Sequence, residues 1–280
     1  LVIRKKDGAF LYGTTDLATL EYRQSKWKPQ EIVYVTDARQ QLHFQQIFYA
    51  WKQWRESRGE DTVSISRPSL KHIYFGMLKL SEGVMSTRKG NVIRLVELLD
   101  EAVRRAKKVT DEKSGSLSEQ QREDIAEAVG ISAVRYFDLA QNPQSDVKFS
   151  WDRMLALDGN SAPFLMYSYA RARGIQRKGK VLNPTVSSLE IGDEAERKLA
   201  LTLLQFPIIV DLAQRNCRAN MLCDHLYDVA SLFNRFYFSN PVLTAEDSTV
   251  KEARLALVEA SLRVLKKGMD ILGIVALDRM

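Results

Sequence analysis

Residues 83–91 combine glycine, hydroxyl and cationic side chains in one short segment, Gly-Val-Met-Ser-Thr-Arg-Lys-Gly-Asn. Backbone flanked by glycine can wrap around a polyphosphate, and Arg88 and Lys89 could stabilise the charge that develops in phosphoryl or nucleotidyl transfer. Ser86 and Thr87 would add hydrogen-bond donors. The segment is not a Walker A loop, because it lacks the spacing Gly-x-x-x-x-Gly-Lys-Ser/Thr. A plain basic surface turn would have the same composition, so the pattern alone leaves both interpretations open.

A second group of polar side chains brackets a short apolar segment. Tyr12 and Asp16 lie four residues apart, and Gln40 and His43 follow shortly after a predicted strand that ends in Thr36-Asp37. A carboxylate, a phenol and an amide that converge would suit a planar cation, because a carboxylate can accept two guanidinium hydrogen bonds at once. The alternative is that Asp16 only caps its own helix.

The elements that must position these residues first alternate between strand and helix. Asp7-Gly8 between β-prone segments predicts a hairpin, and the all-apolar Ile32-Val33-Tyr34-Val35 predicts a buried parallel strand. The order indicates an α/β fold with a parallel sheet, whose ligands bind at the carboxyl ends of the strands. The predicted elements are a hairpin over residues 2–12, helices over 14–25 and 40–58, and strands over 32–35 and 71–80.

From about residue 92 onwards the pattern changes to apolar residues at three-and-four spacing, which predicts helices only. The sequence therefore predicts a partial α/β domain followed by an all-α bundle. The helices are predicted over residues 95–109, 118–140, 160–178, 193–216, 219–238 and 248–272.

The composition is that of a cytoplasmic globular chain. The 280 residues are 45% hydrophobic and 27% charged, with a formal net charge of +6, which excludes disorder, collagen and a disulfide scaffold. No apolar run reaches the roughly 18 residues of a membrane helix. Cys217 and Cys223 have no His or Cys neighbours at metal-ligand spacing, so we expect reduced thiols and no bound zinc. The cations of residues 171–180, with no acid among them, could contact phosphates, or they could form a solvated helix end.

Five blocks of the chain resemble the arginyl-tRNA synthetase family, and they occur in that family's order. Met-Ser-Thr-Arg-Lys-Gly-Asn at 85–91 resembles the family's form of the class I KMSKS signature. The segments 11–18 and 37–46 are similar to two further blocks of the catalytic domain. The segment 158–171 resembles the opening of the anticodon-binding domain, and Asp-Arg-Met at 278–280 resembles the family's usual ending.

The resemblance implies a fold and an extent. The implied fold is a partial Rossmann-like nucleotide-binding α/β domain followed by an all-α anticodon-binding helical bundle. The implied domains are residues 1–94 for the catalytic part with the KMSKS-like loop, 95–150 for a helical connector, and 151–280 for the anticodon-binding domain. No HIGH-like tetrad occurs in the sequence, so we expect the half of the enzyme that carries it to precede residue 1.

The resemblance also implies roles at the catalytic end. Both signature lysines are replaced, by Val84 and Thr87, which leaves open whether Arg88 or Lys89 meets the phosphates. For the strand residues Phe75 and Met77, ordinary packing is the alternative to contact with adenine. The implied catalytic residues are Ser86, Thr87, Arg88 and Lys89; the implied arginine-binding residues are Tyr12, Asp16 and Gln40; the implied ATP-binding residues are His43, Gln46, Phe75, Gly76 and Met77.

In the helical part the resemblance implies contacts with the anticodon loop at Phe164, Arg171, Tyr237 and Met280. Phe164 and Arg171 lie seven residues apart, which is two turns of helix, so they should project from the same face. An aromatic ring can stack on an unpaired base, and a guanidinium can bind phosphate or a base edge. Phe236 belongs to the same block as Tyr237, but an aromatic residue at helical spacing is also a candidate for the core.

The function implied is ATP-dependent activation of arginine to arginyl-adenylate and its transfer to tRNA(Arg). ATP with Mg²⁺ would enter as substrate, and the implied partners are tRNA(Arg), arginine and ATP, with no membrane and a monomeric state. One alternative remains open, that the chain is a non-catalytic tRNA-binding module. Another class I synthetase, such as the cysteinyl enzyme, would need a zinc site that two cysteines cannot build.

Overall fold

The computed structural model describes residues 1–80, 83–84, 94–113, 117–179 and 191–280. It contains two compact units. One comprises Leu1–Leu78 with Pro143–Val147, and the other comprises Lys79–Asn142 with Lys148–Met280.

The first unit is a small α/β unit. The predicted hairpin is present as an antiparallel bridge between Arg4 and Phe10. Strands β1 and β2 then pair in parallel, with Glu31 opposite Ser69 and Asp37 opposite Phe75. The elements, in chain order, are α1 (Tyr12–Trp27), β1 (Glu31–Asp37), a 3-10 turn (Ala38–Gln40), α2 (Gln41–Ser57), α3 (Thr62–Ile65) and β2 (Ser69–Phe75). The next strand, β3 (Leu78–Leu80), belongs from Lys79 onwards to the second unit.

The core of this unit lies on one face of the two-stranded sheet. Leu20 of α1, Ile32 of β1, and Ile47 and Trp51 of α2 pack together there. The other face of β1 carries Val33 and Val35, and Val35 is 62% exposed. The strand is parallel, as predicted, but the prediction that it is buried is wrong for this face of the described chain.

The strand predicted over residues 71–80 is two strands. It is interrupted after Phe75, where the backbone N–H of Gly76 donates to the carbonyl of Pro143 and that of Met77 donates to the Asp146 carboxylate. A Cβ on Gly76 would lie 2.3 Å from the carbonyl oxygen of Ser145. Only glycine allows the two segments to approach so closely.

The second unit is helical, as predicted, apart from short strand pairings. Strand β3 pairs antiparallel with β4 (Gly83–Val84), and β5 (Val147–Lys148) was not predicted. The six long helices occur where the apolar periodicity places them. The helices of this unit are α4 (Leu95–Lys113), α5 (Glu119–Leu139), α6 (Trp151–Met154), α7 (Ala162–Gly179), α8 (Glu194–Asn216), α9 (Ala219–Ser239) and α10 (Ser248–Leu272).

Local signals set the ends of these helices. Ser118 and Gln121 form a reciprocal capping box at the start of α5, and Asp193 and Asp247 accept N-terminal backbone N–H groups of α8 and α10. Gly273 ends α10 with φ +68°, a conformation that favours glycine. None of the helices in the described ranges combines the length and the apolar character that a membrane span requires.

Candidate functional site

In the first unit, the carboxylate of Asp16 and the imidazole of His43 form a close pair. Asp16 lies in the second turn of α1 and His43 in the first turn of α2, and 2.6 Å separates Oδ2 from Nε2. The side chains are 34% and 29% exposed, respectively, so the pair is partly desolvated and still reachable. A carboxylate at such a position can bind a planar cation.

The interpretation of Asp16 as a helix cap is wrong. Helix α1 begins at Tyr12, and its N-cap residue, Leu11, has no side-chain cap. Asp16 therefore lies past the first turn. The hydroxyl of Thr14 donates to the carbonyl of Ile3 and anchors the preceding segment.

A cluster of aromatic rings supports the pair from the sheet side. Phe44, which is buried, meets the His43 ring edge-on at 5.4 Å and lies 4.7 Å from the rings of Tyr34 and His72. The Nε2 atom of His72 is 2.8 Å from the hydroxyl of Thr36, and burial lowers the pKa of His72. Sequence reasoning did not select His72, which lies in the middle of β2 and had no positional signal.

The other residues predicted for the substrates are distributed around this pair. Tyr12 is exposed one turn before Asp16 on α1, and Gln40 is exposed at the N-cap of α2. Gln46 is half-buried on α2, Phe75 is exposed at the end of β2, and Gly76 and Met77 follow it. The structure thus brings Asp16 and His43 into contact, whereas Tyr12 and Gln40 present their side chains to solvent. The predicted catalytic residues Ser86, Thr87, Arg88 and Lys89 lie outside the described residues.

Asp37 and Arg39, which sequence reasoning did not select, form an ion pair at the carboxyl end of β1. Nε and Nη2 of Arg39 donate to the two carboxylate oxygens at 2.8 and 2.9 Å. The side chain and backbone of Arg39 hold the pKa of Asp37 below its ordinary value. The pair orders the 3-10 turn that leads from the strand to Gln40.

In the second unit, the guanidinium of Arg171 is surrounded by aromatic rings. Its central carbon lies 4.7 Å from the centroid of Tyr167, 5.3 Å from Tyr237 and 5.0 Å from Phe238. Nη1 also donates to the side-chain oxygen of Asn234. Such contacts fix the plane of the guanidinium. Phe238 remains 73% exposed and offers a ring to solvent.

A cleft of about 700 Å³ opens beside Arg171. Its lining includes Tyr167, Tyr237 and the last two residues, Arg279 and Met280. It also includes the cations Arg177 and Lys178. The cleft therefore joins aromatic faces to positive charge, which suits an anionic ligand that also has flat rings, such as single-stranded nucleic acid.

Phe164 does not line this cleft. It packs against the core of the second unit with its ring 5.6 Å from that of Tyr227. Tyr169 and Phe236 are buried, and Phe236 belongs to the core. Of the four residues predicted to contact RNA, the structure therefore gathers Arg171, Tyr237 and Met280 in one place.

Comparison with known families shows to which family the chain belongs. The family model described as "tRNA synthetases class I (R), catalytic domain" matches residues 1–151, and the model of the DALR anticodon binding domain matches residues 165–280. The chain belongs to the class I arginyl-tRNA synthetase family. The predicted fold class, a partial class I catalytic domain followed by a helical anticodon-binding domain, is confirmed.

Individual relatives agree with this membership. The chain is 43% identical to the arginine–tRNA ligase of Fusobacterium nucleatum, in an alignment that covers 100% of this chain and 48% of the relative. The arginyl-tRNA synthetase of Thermus thermophilus superposes with a TM-score of 0.86 at 25% identity, over 100% of this chain and 51% of that one. The Plasmodium falciparum arginyl-tRNA synthetase gives 0.82 at 28% identity, over 99% and 46%. The chain spans about half the length of the curated relatives that it matches.

Proposed function

We propose that the chain acts within an arginine–tRNA ligase, which activates arginine with ATP to arginyl-adenylate and transfers it to tRNA(Arg). The observation that carries the proposal is the cleft beside Arg171, where Arg171, Tyr237 and Met280 meet. Aromatic faces and cations in one cleft match the requirements of an unpaired anticodon loop. Family membership makes the loop of tRNA(Arg) the expected occupant.

In the first unit, Asp16 would receive the guanidinium of the substrate arginine. The charge and reachability of its carboxylate support this role, since a guanidinium can donate two parallel hydrogen bonds to one carboxylate. Tyr12, one turn earlier on α1, and Gln40, at the start of α2, would close around the substrate. His43, Gln46, Phe75, Gly76 and Met77 remain predictions for the ATP side.

Catalysis would depend on positioning and on charge stabilisation, with no covalent enzyme intermediate. The arginine carboxylate attacks the α-phosphate of ATP and pyrophosphate leaves. The 2′- or 3′-hydroxyl of the terminal ribose then attacks the adenylate carbonyl, and AMP leaves. Mg²⁺ would enter with ATP as part of the substrate. Ser86, Thr87, Arg88 and Lys89 would stabilise the leaving pyrophosphate.

In the second unit, the flat side chains would stack on bases and the cations would neutralise phosphates. Three neighbouring aromatic rings and the side chain of Asn234 fix the orientation of the Arg171 guanidinium. Little conformational entropy of this side chain therefore remains to be lost when RNA binds. Arg177, Lys178 and Arg279 would contact the backbone of the loop. We expect the parent ligase to be a cytoplasmic monomer with domains divided near residues 94 and 150.

The alternative, a tRNA-binding module without catalysis, is separated from a ligase by two measurements. The 280-residue chain should bind tRNA(Arg), with an affinity that falls steeply as salt rises, and should show no ATP–pyrophosphate exchange with arginine and tRNA. A full-length ligase that carries this sequence should show both activities, and Asp16→Ala should raise its KM for arginine. A full-length protein that binds tRNA(Arg) but never exchanges pyrophosphate would establish the module, and exchange by the 280-residue chain alone would show that no further half is needed.

A further inference from the structure

The pair between Asp16 and His43 has a consequence for substrate recognition beyond a carboxylate on a helix. Only Oδ2 of Asp16 is engaged, at 2.6 Å from Nε2 of His43. Within the described part of the chain, Oδ1 accepts no hydrogen bond. A carboxylate oxygen has two acceptor sites, so one edge of the group remains available to a second donor while His43 fixes its orientation.

The His43 ring that contacts Asp16 is packed against other aromatic residues. Phe44, only 5% exposed, meets the His43 ring edge-on at an interplanar angle of 78°. Tyr34 of β1 and His72 of β2 pack against Phe44 at 4.7 Å. The orientation of the Asp16 carboxylate on α1 is thus set by a ring on α2, which rests on residues of both strands.

The protonation state of His43 decides how much charge Asp16 offers. A neutral imidazole that donates from Nε2 orients the carboxylate and leaves its negative charge in place. A protonated imidazole forms an ion pair that competes with an incoming guanidinium, since two cations would then share one carboxylate. Among the described residues, the other ionisable groups near the pair include Tyr12 and Arg23 on α1 and Tyr34 and His72 on the strands; the Arg23 guanidinium lies 5.3 Å from the Tyr34 ring. Burial raises the pKa of Tyr34 and lowers that of His72, so both favour their neutral forms.

We propose that His43 is a positioning residue for arginine: in its neutral form it holds the Asp16 carboxylate in the orientation that receives the substrate guanidinium. The inference rests on the proposed function and places His43 on the arginine side of the site, as the alternative to the ATP side predicted for it.

The test uses a full-length ligase that carries this sequence, assayed by pyrophosphate exchange with tRNA present. His43→Ala should raise the KM for arginine roughly 10-fold, the scale of one hydrogen bond to a charged group, with the KM for ATP unchanged. His43→Gln keeps an N–H donor near the position of Nε2 and should restore the KM for arginine to within about 2-fold.

Gln45→Ala, on the exposed side of the same turn of α2, is the matched control and should alter neither KM. Thermal unfolding of each variant shows whether the fold is retained, and His43→Gln keeps the test decisive if His43→Ala unfolds.

A rise in the KM for ATP alone would overturn the inference and leave His43 on the ATP side. An unchanged KM for arginine in His43→Ala, together with a raised one in Asp16→Ala, would overturn only this inference. An unchanged KM in Asp16→Ala would overturn the guanidinium site itself.

Discussion

Asp278 accepts two hydrogen bonds from the guanidinium of Arg173, from Nε and from Nη2, each at 3.0 Å. Arg177, one turn further along α7, donates to the backbone carbonyl of Asp278 at 2.6 Å. These contacts tie residues 278–280 to α7, and Met280 lies in the cleft as a result. The position of Met280 therefore depends on an ion pair between residues 105 positions apart in sequence.

Loss of this ion pair should weaken RNA binding. In Asp278→Asn the fork of Arg173 loses its charged acceptor, so residues 278–280 are held less firmly and ordering them costs free energy on binding. We expect the Kd of the chain for tRNA(Arg) to rise by about 3-fold to 10-fold, measured by fluorescence anisotropy. Asp270→Asn, which removes the exposed pair with Lys266 on α10, is the matched control. Equal effects of the two variants would mean that only net charge matters.

The same pair predicts a pH dependence of stability. The Arg173 guanidinium lowers the pKa of Asp278 below its ordinary value. A carboxyl whose pKa is lower in the folded state stabilises the fold above its unfolded pKa, about 4, and this contribution is lost as the pH falls through the lower folded value. Thermal unfolding of the unmodified chain should therefore lose more stability than Asp278→Asn between about pH 5 and pH 2. Parallel curves for the two proteins would contradict the linkage.

Which structural features the sequence could predict depends on how far apart the interacting residues lie along the chain. Helix ends such as Ser118 and Gly273 depend on neighbours within a turn, and apolar periodicity located the long helices. The pair between Arg173 and Asp278 leaves no local pattern, and the same is true of the pair between Asp16 and His43, which depends on how α1 meets α2. The spacing of Phe164 and Arg171 relates two side chains on one helix, but it does not show that Tyr227 of α9 packs against Phe164. Contact of Phe164 with RNA stays a prediction.

Replacement of Arg171 by lysine should test the stacked guanidinium separately from its charge. A lysine keeps the positive charge but cannot stack as a plane on Tyr167 and Tyr237 or keep the forked geometry toward Asn234. We expect Arg171→Lys to raise the Kd for tRNA(Arg) about 10-fold, with a salt dependence of binding close to that of the unmodified chain. Arg215→Lys, in an exposed pair with Asp211 on α8, should change the Kd by less than about 2-fold. A Kd that is unchanged in Arg171→Lys would show that charge alone suffices.

A buried ion pair at the start of α8 should contribute to the stability of the helical unit. The side chain of Glu196 is 3% exposed and its Oε1 lies 2.6 Å from Nε of Arg254, while its Oε2 accepts the backbone N–H of Gly192. Glu196→Gln leaves Arg254 without its countercharge, which should lower the free energy of unfolding by about 3 kcal/mol in urea. Glu194→Gln, two residues away with a side chain that is 70% exposed, should cost no more than about 0.5 kcal/mol. Similar losses in both would mean that burial of the pair contributes little.

The two cysteines should differ in reactivity. Burial raises the pKa of the Cys223 thiol to about 12, whereas Cys217, the C-cap residue that follows α8, is partly exposed. Alkylation requires the thiolate and access, so iodoacetamide at about pH 8 should label Cys217 and leave Cys223 unmodified, as read by peptide mass spectrometry. Both should react in denaturant.

The Tyr136 hydroxyl donates to the backbone carbonyl of Cys223 at 2.9 Å, so Tyr136→Phe, which removes that bond in the core, should speed labelling of Cys223 under native conditions. Native labelling of Cys223 at the rate of Cys217 would show that α9 opens more readily than its burial indicates.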